Sequence, residues 1–328
     1  MTREPKPPGE PLVPDSVFGL LLLLPIVIWV VSMILYPTGY VLWLSVQNAT
    51  VLGAPMNFVG FKNYGSVLKE PLFRLALKNS VIWTVSNAFL QTILGFAAAL
   101  LLNYPLRRVK IAQPLMIMPW VVPTIVMAII WKFLLSASYG VVNNLLIQLD
   151  LMSRPINFLG SPDIAMPLVV FLNSWRWFPF FTVIVLAALQ NIPQDEYDAA
   201  TMEGASLLDQ FRNITMPYLA PTLSVMLLVG NIFSFGIFDV IYLITNGGPM
   251  NLTTTLPVLI YKRSFEGYRM SEAATIASLT FGVLLFFAIV VLFGGRLGSL
   301  LGRGVRRILR RPEIASAATT KGQVPFIS

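Results

Sequence analysis

The segment NIPQDEYDAATMEGASLLDQFRNITMP (Asn191–Pro217) is a charged island between two apolar runs, near Ile164–Leu189 and Tyr218–Ile244. Each run supplies the roughly 20 mostly apolar residues that a helix needs to cross a bilayer, so the island reads as a loop on one membrane face. Pro193 followed by Asp195, Glu196 and Asp198 suits a helix start, where carboxylates meet the positive end of the dipole. Gly204 breaks that helix or turns it through positive φ. Ser206 with Asp209 reads as the capping box of a second short helix. Leu207, Phe211 and Ile214 form its apolar stripe, and Pro217 is expected to end it at the membrane. The prediction is a helix–glycine–helix elbow.

Composition sets the frame around this loop. The chain has 328 residues, of which 56% are hydrophobic and 12% charged, with a formal net charge of +8. Soluble domains carry about 25% charged residues, so a soluble surface cannot be built, and disorder is excluded by the apolar content. Without cysteine or histidine, the chain has no disulfide framework, thiolate nucleophile, imidazole metal ligand or His acid–base pair. An all-α integral membrane protein remains. Further spans are expected near Val17–Leu44, Ser80–Leu102, Pro114–Leu135 and Ala273–Phe293, which makes six. The apolar run of the first exceeds the roughly 7–15 residues of a signal-peptide core, so it reads as a retained anchor.

Basic residues crowd Arg107, Arg108 and Lys110, and again Arg296, Arg303, Arg306, Arg307, Arg310 and Arg311. The positive-inside bias therefore predicts cytoplasmic tails at residues 1–16 and 296–328, around a transmembrane domain at 17–295. The tail arginines suit anionic lipid headgroups; no basic folded domain accompanies them to suggest nucleic-acid binding. Residues 58–78 read as an outer interfacial helix, with Val67, Leu68, Leu72, Leu75 and Ala76 at helical spacing and Pro71 near a start or break.

The small residues Ala199, Ala200, Gly204 and Ala205 would let a partner's backbone approach the elbow closely; an ordinary loop helix is the alternative. The run Tyr197-Asp198-Ala199-Ala200-x-x-Glu203-Gly204-Ala205, followed by Ile214-Thr215-Met216-Pro217, resembles the EAA loop of binding-protein-dependent ABC import permeases. Asp198 stands where that pattern has Glu, and Met216 where it has Leu. Val59-Gly60-Phe61-x-Asn63-Tyr64, Pro119-Trp120-Val121-Val122-Pro123, Tyr139-Gly140-x-x-Asn143, Trp175-x-Trp177-x-Pro179-Phe180, Phe238-Asp239-Val240-Ile241-Tyr242 and Thr245-x-Gly247-Gly248-Pro249 are similar to the maltose-type branch. The resemblance covers roughly residues 18–295.

It implies the type I ABC importer permease fold, with the loop as a coupling helix seated in a cleft of a separate cytoplasmic ATPase. Glu196, Asp198, Ala199, Ala200, Glu203 and Gly204 would form the docking core, with Leu207, Leu208 and Phe211 packing behind it. The implied partners are a second, similar permease, two ATPases that hold ATP and magnesium, and an extracytoplasmic solute-binding protein. The chain itself has no Gly-x-x-x-x-Gly-Lys-Ser/Thr phosphate loop. The implied cargo is a sugar or oligosaccharide, with a glycerol-phosphate-type solute as the alternative.

For the solute path the residues offer Trp175, Arg176, Asn231, Ser234, Phe235, Asp239 and Tyr242. Intramembrane ionisable groups are costly and point to function, but Arg176 and Asp239 read first as a mutual ion pair holding the bundle together. Trp120, Trp175, Trp177, Phe233, Phe235 and Tyr242 could stack on sugar rings or serve as belt and packing residues. Asn173, Asn231 and Ser234 could bind hydroxyls or neighbouring helices. A proton-coupled transporter would want more core carboxylates than Asp239, and a membrane enzyme would need an acid–base or metal cluster.

Overall fold

A computed structural model of the chain describes residues 15–49, 56–103 and 109–309, with side chains at 19–49, 56–103 and 113–290. The N-terminal tail, Arg107, Arg108 and the C-terminal arginines fall outside the described side chains. The described residues are mostly helical. Five helices are long and apolar enough to cross a membrane: Gly19–Ser45, Pro71–Leu102, Pro162–Gln190, Leu207–Phe235 and Met270–Val290. A bent pair, Gln113–Val121 and Thr124–Leu134, makes a sixth if taken as one span. The chain divides into two compact units, residues 1–80 with 246–279, and residues 81–245 with 280–328.

In the first unit, the Gly19–Ser45 helix exposes apolar side chains all round, as lipid-facing surface does. An antiparallel bridge pairs Gln47 with Phe58 and Asn48 with Asn57. Polar side chains then stitch distant segments together. Tyr64 OH lies 2.7 Å from Ser45 Oγ and 2.9 Å from Ser278 Oγ. Asn79 Nδ2 donates to the Thr254 carbonyl at 3.0 Å, and the Leu256 N–H donates to Ser80 Oγ at 2.8 Å. Arg263 pairs with Glu70 and Glu272, and Arg269 also pairs with Glu272.

The second unit is a helix bundle whose core includes Ala99, Phe181, Val185, Leu189, Leu219 and Met226. The Pro71–Leu102 and Pro162–Gln190 helices approach so closely that a Cβ at Gly95 would lie 2.6 Å from Phe181 Cβ. Asn143, 2% exposed, fastens the connection after the bent pair by donating to the Ser136 and Ile156 carbonyls and accepting from the Ile156 N–H.

Four sequence expectations are corrected. The third span is not one straight helix: it bends by 95° at Val122–Pro123. Proline supplies no N–H and pushes the preceding residue out of the α region, and Pro123 itself is extended at φ −56°, ψ 139°. The second span starts at Pro71, not Ser80, and absorbs the latter half of the expected interfacial helix; only Lys62–Lys69 forms separately. The fifth span stops at Phe235, where Gly236 caps it, and a short helix Asp239–Thr245 follows.

The fourth correction concerns Pro217, which does not end the elbow's second helix. The helix runs unbroken from Leu207 to Phe235 through a π turn at Phe211–Thr215. The Met216 N–H donates five residues back to the Phe211 carbonyl, and the first helix repeats the device before Pro37, with Tyr36 N–H donating to the Val31 carbonyl. One extra residue in the turn absorbs the donor that proline lacks.

Candidate functional site

The elbow forms from local chemistry. Its first helix, Gln194–Met202, is capped by Pro193 and carries Asp195 and Glu196 in its first turn. It closes in a Schellman motif: the Gly204 N–H donates to the Thr201 carbonyl at 3.0 Å and the Ala205 N–H to the Ala200 carbonyl at 2.9 Å. Gly204 sits at φ +81°, where a Cβ carries strain. The predicted capping box is present, with Ser206 N–H on Asp209 Oδ2 at 3.2 Å and Asp209 N–H on Ser206 Oγ at 3.3 Å. Gln210 Nε2 reaches back to Thr201 Oγ1 at 3.1 Å and closes the turn.

Two tyrosines tie the elbow to the bundle. Tyr197 OH lies 2.9 Å from Thr215 Oγ1, and Tyr218 OH donates to Glu196 Oε1 at 3.3 Å. Tyr197 and Ile214 pack on the bundle core, and the Phe211 ring meets Phe96 edge-on at 6.0 Å. Glu196, Asp198, Ala199, Glu203 and Gly204 face outward, with Ala200 half-buried.

Leu207 and Leu208 do not pack behind the elbow. They are 84% and 74% exposed, whereas the half-buried Phe211 reaches the bundle through Phe96. With Met202, 86% exposed, they form an apolar tip beside Gly204. Met202 was missed in the sequence, where it looks like an ordinary filler of the EAA-type pattern.

A cavity of about 800 Å³ lies within the second unit, between the Pro71–Leu102, Val109–Val121, Pro162–Gln190 and Leu207–Phe235 helices. Trp120, Trp177, Phe180 and Phe233 give it an aromatic wall, and Gln91, Thr222 and Ser234 are its polar side chains. The Trp120 and Phe180 rings lie 5.8 Å apart between centroids, tilted by 31°.

Of the expected path residues, Ser234 lines this cavity and the others lie elsewhere. Trp175 packs edge-on against Trp131 at 5.7 Å. Asn231 donates to its own helix at the Leu227 carbonyl, 2.6 Å away. Phe235 is buried, and Tyr242 stacks on Phe238 at 4.8 Å. Asp239 is exposed in the first turn of its short helix.

The expected Arg176–Asp239 contact ion pair is not formed. Arg176 Nε instead donates to the Val122 carbonyl at 3.3 Å, at the break made by Pro123. The helix end between Phe235 and Asp239 carries the carboxylate out of contact range, leaving it a longer-range electrostatic neighbour. Among the described residues no group of three acidic, His or Cys side chains could hold a metal.

Membrane-spanning helices, a capped elbow and an aromatic-walled cavity together are the features of a membrane transport component. The chain belongs to the family described as binding-protein-dependent transport system inner membrane component, whose match covers residues 91–307. It is 35% identical over 285 residues to the trehalose/maltose transport system permease protein MalF of Thermococcus litoralis, covering 86% of this chain and 95% of that one. It is 30% identical over 267 residues to the sn-glycerol-3-phosphate transport system permease protein UgpA of Pectobacterium atrosepticum, covering 81% and 90%. A chain of a bacterial alginate ABC transporter, crystallised with its alginate pentasaccharide-bound periplasmic protein, superposes with TM-score 0.75 at 23% identity, over 84% of this chain and 93% of that one. The chain is thus an ABC transporter permease of the type I fold, an integral membrane subunit.

Proposed function

We propose that this chain is one permease of an importer for a sugar or oligosaccharide, driven by ATP hydrolysed on separate ATPase subunits. The observation that carries the reading is the elbow: an outward apolar tip of Met202, Leu207 and Leu208 beside Gly204, held by two helix caps and two tyrosine bridges. Such a tip gains from burial in a partner's cleft, and its rigid fastening suits the transmission of force to the Leu207–Phe235 span. Glu196, Asp198, Ala199, Ala200, Glu203 and Gly204 surround that tip, and Phe211 anchors it to the bundle.

In this reading a second permease, two ATPases and an extracytoplasmic solute-binding protein complete the assembly, with ATP and magnesium held by the ATPases. Both termini lie in the cytoplasm, as the Lys/Arg bias supports. The loaded binding protein docks outside, ATP closes the ATPases, and the elbows carry that motion into the spans. The aromatic cavity is the solute path, and the trehalose/maltose and alginate relatives support a carbohydrate cargo. The glycerol-phosphate relative supports the second reading.

Uptake into proteoliposomes holding the complete transporter, with and without the ATPase and ATP, is the test. Uptake that requires both is expected. Uptake by this chain alone in a proton gradient overturns the proposal.

A further inference from the structure

Gln91 sits within the Pro71–Leu102 helix, 4% exposed, in the wall of the cavity. A short chain of hydrogen bonds fixes which end of its amide meets the cavity. Asn87 Nδ2 donates to the Trp83 carbonyl, one turn back, at 2.8 Å. A backbone carbonyl only accepts, so Asn87 Oδ1 must point the other way. That oxygen receives Asn173 Nδ2 at 2.6 Å, Ser174 Oγ at 3.1 Å and Gln91 Nε2 at 3.2 Å. Rotating the Gln91 amide would set two carbonyl oxygens against each other. Its nitrogen is therefore committed to Asn87, and Oε1 is the end left for the cavity.

The remaining polar groups of the cavity are neutral. Ser234 Oγ and Trp177 Nε1 are buried and have no hydrogen-bond partner among the described residues, and Thr222 adds a hydroxyl. No Lys, Arg, Asp or Glu lines the cavity among the described residues. A phosphate ester would bring up to two charges against this apolar lining, where no cation forms part of the wall; the Arg176 guanidinium, 5.4 Å from the Trp177 ring centroid, is engaged by that ring and by the Val122 carbonyl. It would also present oxygens to the Gln91 oxygen. A sugar can donate one hydroxyl to Gln91 Oε1 and accept at another from the Thr222 hydroxyl, with its apolar ring face on the aromatic wall.

We propose that Gln91, oriented by Asn87, is the specificity-determining acceptor that admits an uncharged polyhydroxy solute and rejects its phosphorylated counterpart. This rests on the reading of the cavity as the solute path.

The test uses proteoliposomes of the complete transporter and four radiolabelled probes: maltose, trehalose, trehalose 6-phosphate and sn-glycerol 3-phosphate. ATP-driven uptake of a neutral sugar at least roughly tenfold above either phosphate ester is expected. In Gln91→Met, which keeps side-chain length, maximal sugar uptake should fall roughly tenfold, as loss of one buried hydrogen bond allows. The half-saturating concentration, set by the binding protein, should stay unchanged. ATP-driven uptake of a phosphate ester at the sugar rate overturns this inference and leaves the importer reading standing. An undiminished maximal rate in Gln91→Met, in a complex that co-purifies intact, overturns it as well. ATP-independent behaviour with all four probes overturns both. If Gln91→Met fails to assemble, Gln91→Asn, which withdraws the acceptor by one methylene, takes its place with the same expected fall, and an undiminished rate overturns the inference.

Discussion

The Tyr197 hydroxyl lies 2.9 Å from Thr215 Oγ1 and joins the first elbow helix to the π turn that opens the Leu207–Phe235 span. Thr215 is buried at 5% exposure and Tyr197 is half-buried, so this bond is partly shielded from water at the junction of elbow and span. Tyr197→Phe removes only the oxygen, and Thr215→Val only its partner. Each should cost about 1 kcal/mol of stability, too little to unfold the bundle. Each should also lower solute moved per ATP hydrolysed, and the double variant should be no worse than either single one. Matched uptake and phosphate-release measurements on the reconstituted transporter check this; additive losses would show that the two groups act separately.

At Gly204 two requirements can be separated. A Cβ there meets nothing within 4 Å, yet the residue sits at φ +81°. The chain's own packing therefore tolerates a side chain, and the backbone alone resists one. Asn visits the left-handed region far more readily than a β-branched residue. Gly204→Asn should keep the elbow folded, whereas Gly204→Val should strain it by about 1–2 kcal/mol. If the ATPase approaches this backbone closely, both variants lose ATPase in co-purification, the Asn variant without any drop in melting temperature.

The elbow was legible because its determinants are local. Pro193, Gly204 and the Ser206–Asp209 box act within a few residues of themselves, and each cap formed as the spacing predicted. The long spans were legible from hydropathy, since a bilayer leaves the backbone few other choices. Some failures are cases where a distant segment decides, while the π turn before Pro217 and the break at Pro123 turn on local geometry. Pro179 and Pro221 are carried inside long helices, whereas Pro123 makes a 95° break. Composition alone does not separate those outcomes. Gln91 was passed over as one polar residue in an apolar run, because its orientation is set by a network through Asn87 that also takes in Asn173 and Ser174, more than 80 residues away in sequence. Leu207 and Leu208 kept helical spacing with Phe211, but spacing cannot say where the opposing helix ends.

Asn87 makes a sharp stability prediction. Its side-chain oxygen accepts from three donors on two helices, all at buried residues. Asn87→Leu fits the apolar surroundings but orphans all three. Hydrogen bonds between membrane helices measure about 0.6–1.7 kcal/mol each, so the loss should reach about 2–5 kcal/mol. Thermal unfolding in detergent reads it, and Asn87→Asp, which keeps the acceptor, should fall between Leu and wild type.

Gly95 sets the spacing of two spans. A Cβ there would lie 2.6 Å from Phe181 Cβ, 3.1 Å from the Thr182 nitrogen and 3.2 Å from the Phe178 carbonyl oxygen. Two of these are backbone atoms and cannot swing away. Gly95→Ala should force the Pro71–Leu102 and Pro162–Gln190 helices apart, at about 1–3 kcal/mol for an overpacked site. The shift should also reach the cavity, since Gln91 and Phe181 both line it. A lowered melting temperature together with slower uptake is expected, and Gly95→Val should be worse on both counts.

Arg176 tests the break at Pro123. Its Nε donates to the Val122 carbonyl, a group stranded where the Gln113–Val121 helix ends and Pro123 cannot continue it. Removing the guanidinium in Arg176→Met should leave that carbonyl unpartnered, at about 1–3 kcal/mol. Arg176→Lys, with donors on a flexible stem, should recover part of the loss. Were Arg176 held mainly by Asp239, exchanging the charges in Arg176→Asp with Asp239→Arg would restore the protein. With Val122 as the working contact, the exchange instead sets a carboxylate against a carbonyl oxygen and should be worse than Arg176→Met. Yield and monodispersity of the detergent-extracted protein separate the two cases: full recovery in the exchanged variant would make the ion pair the true anchor, and none is expected.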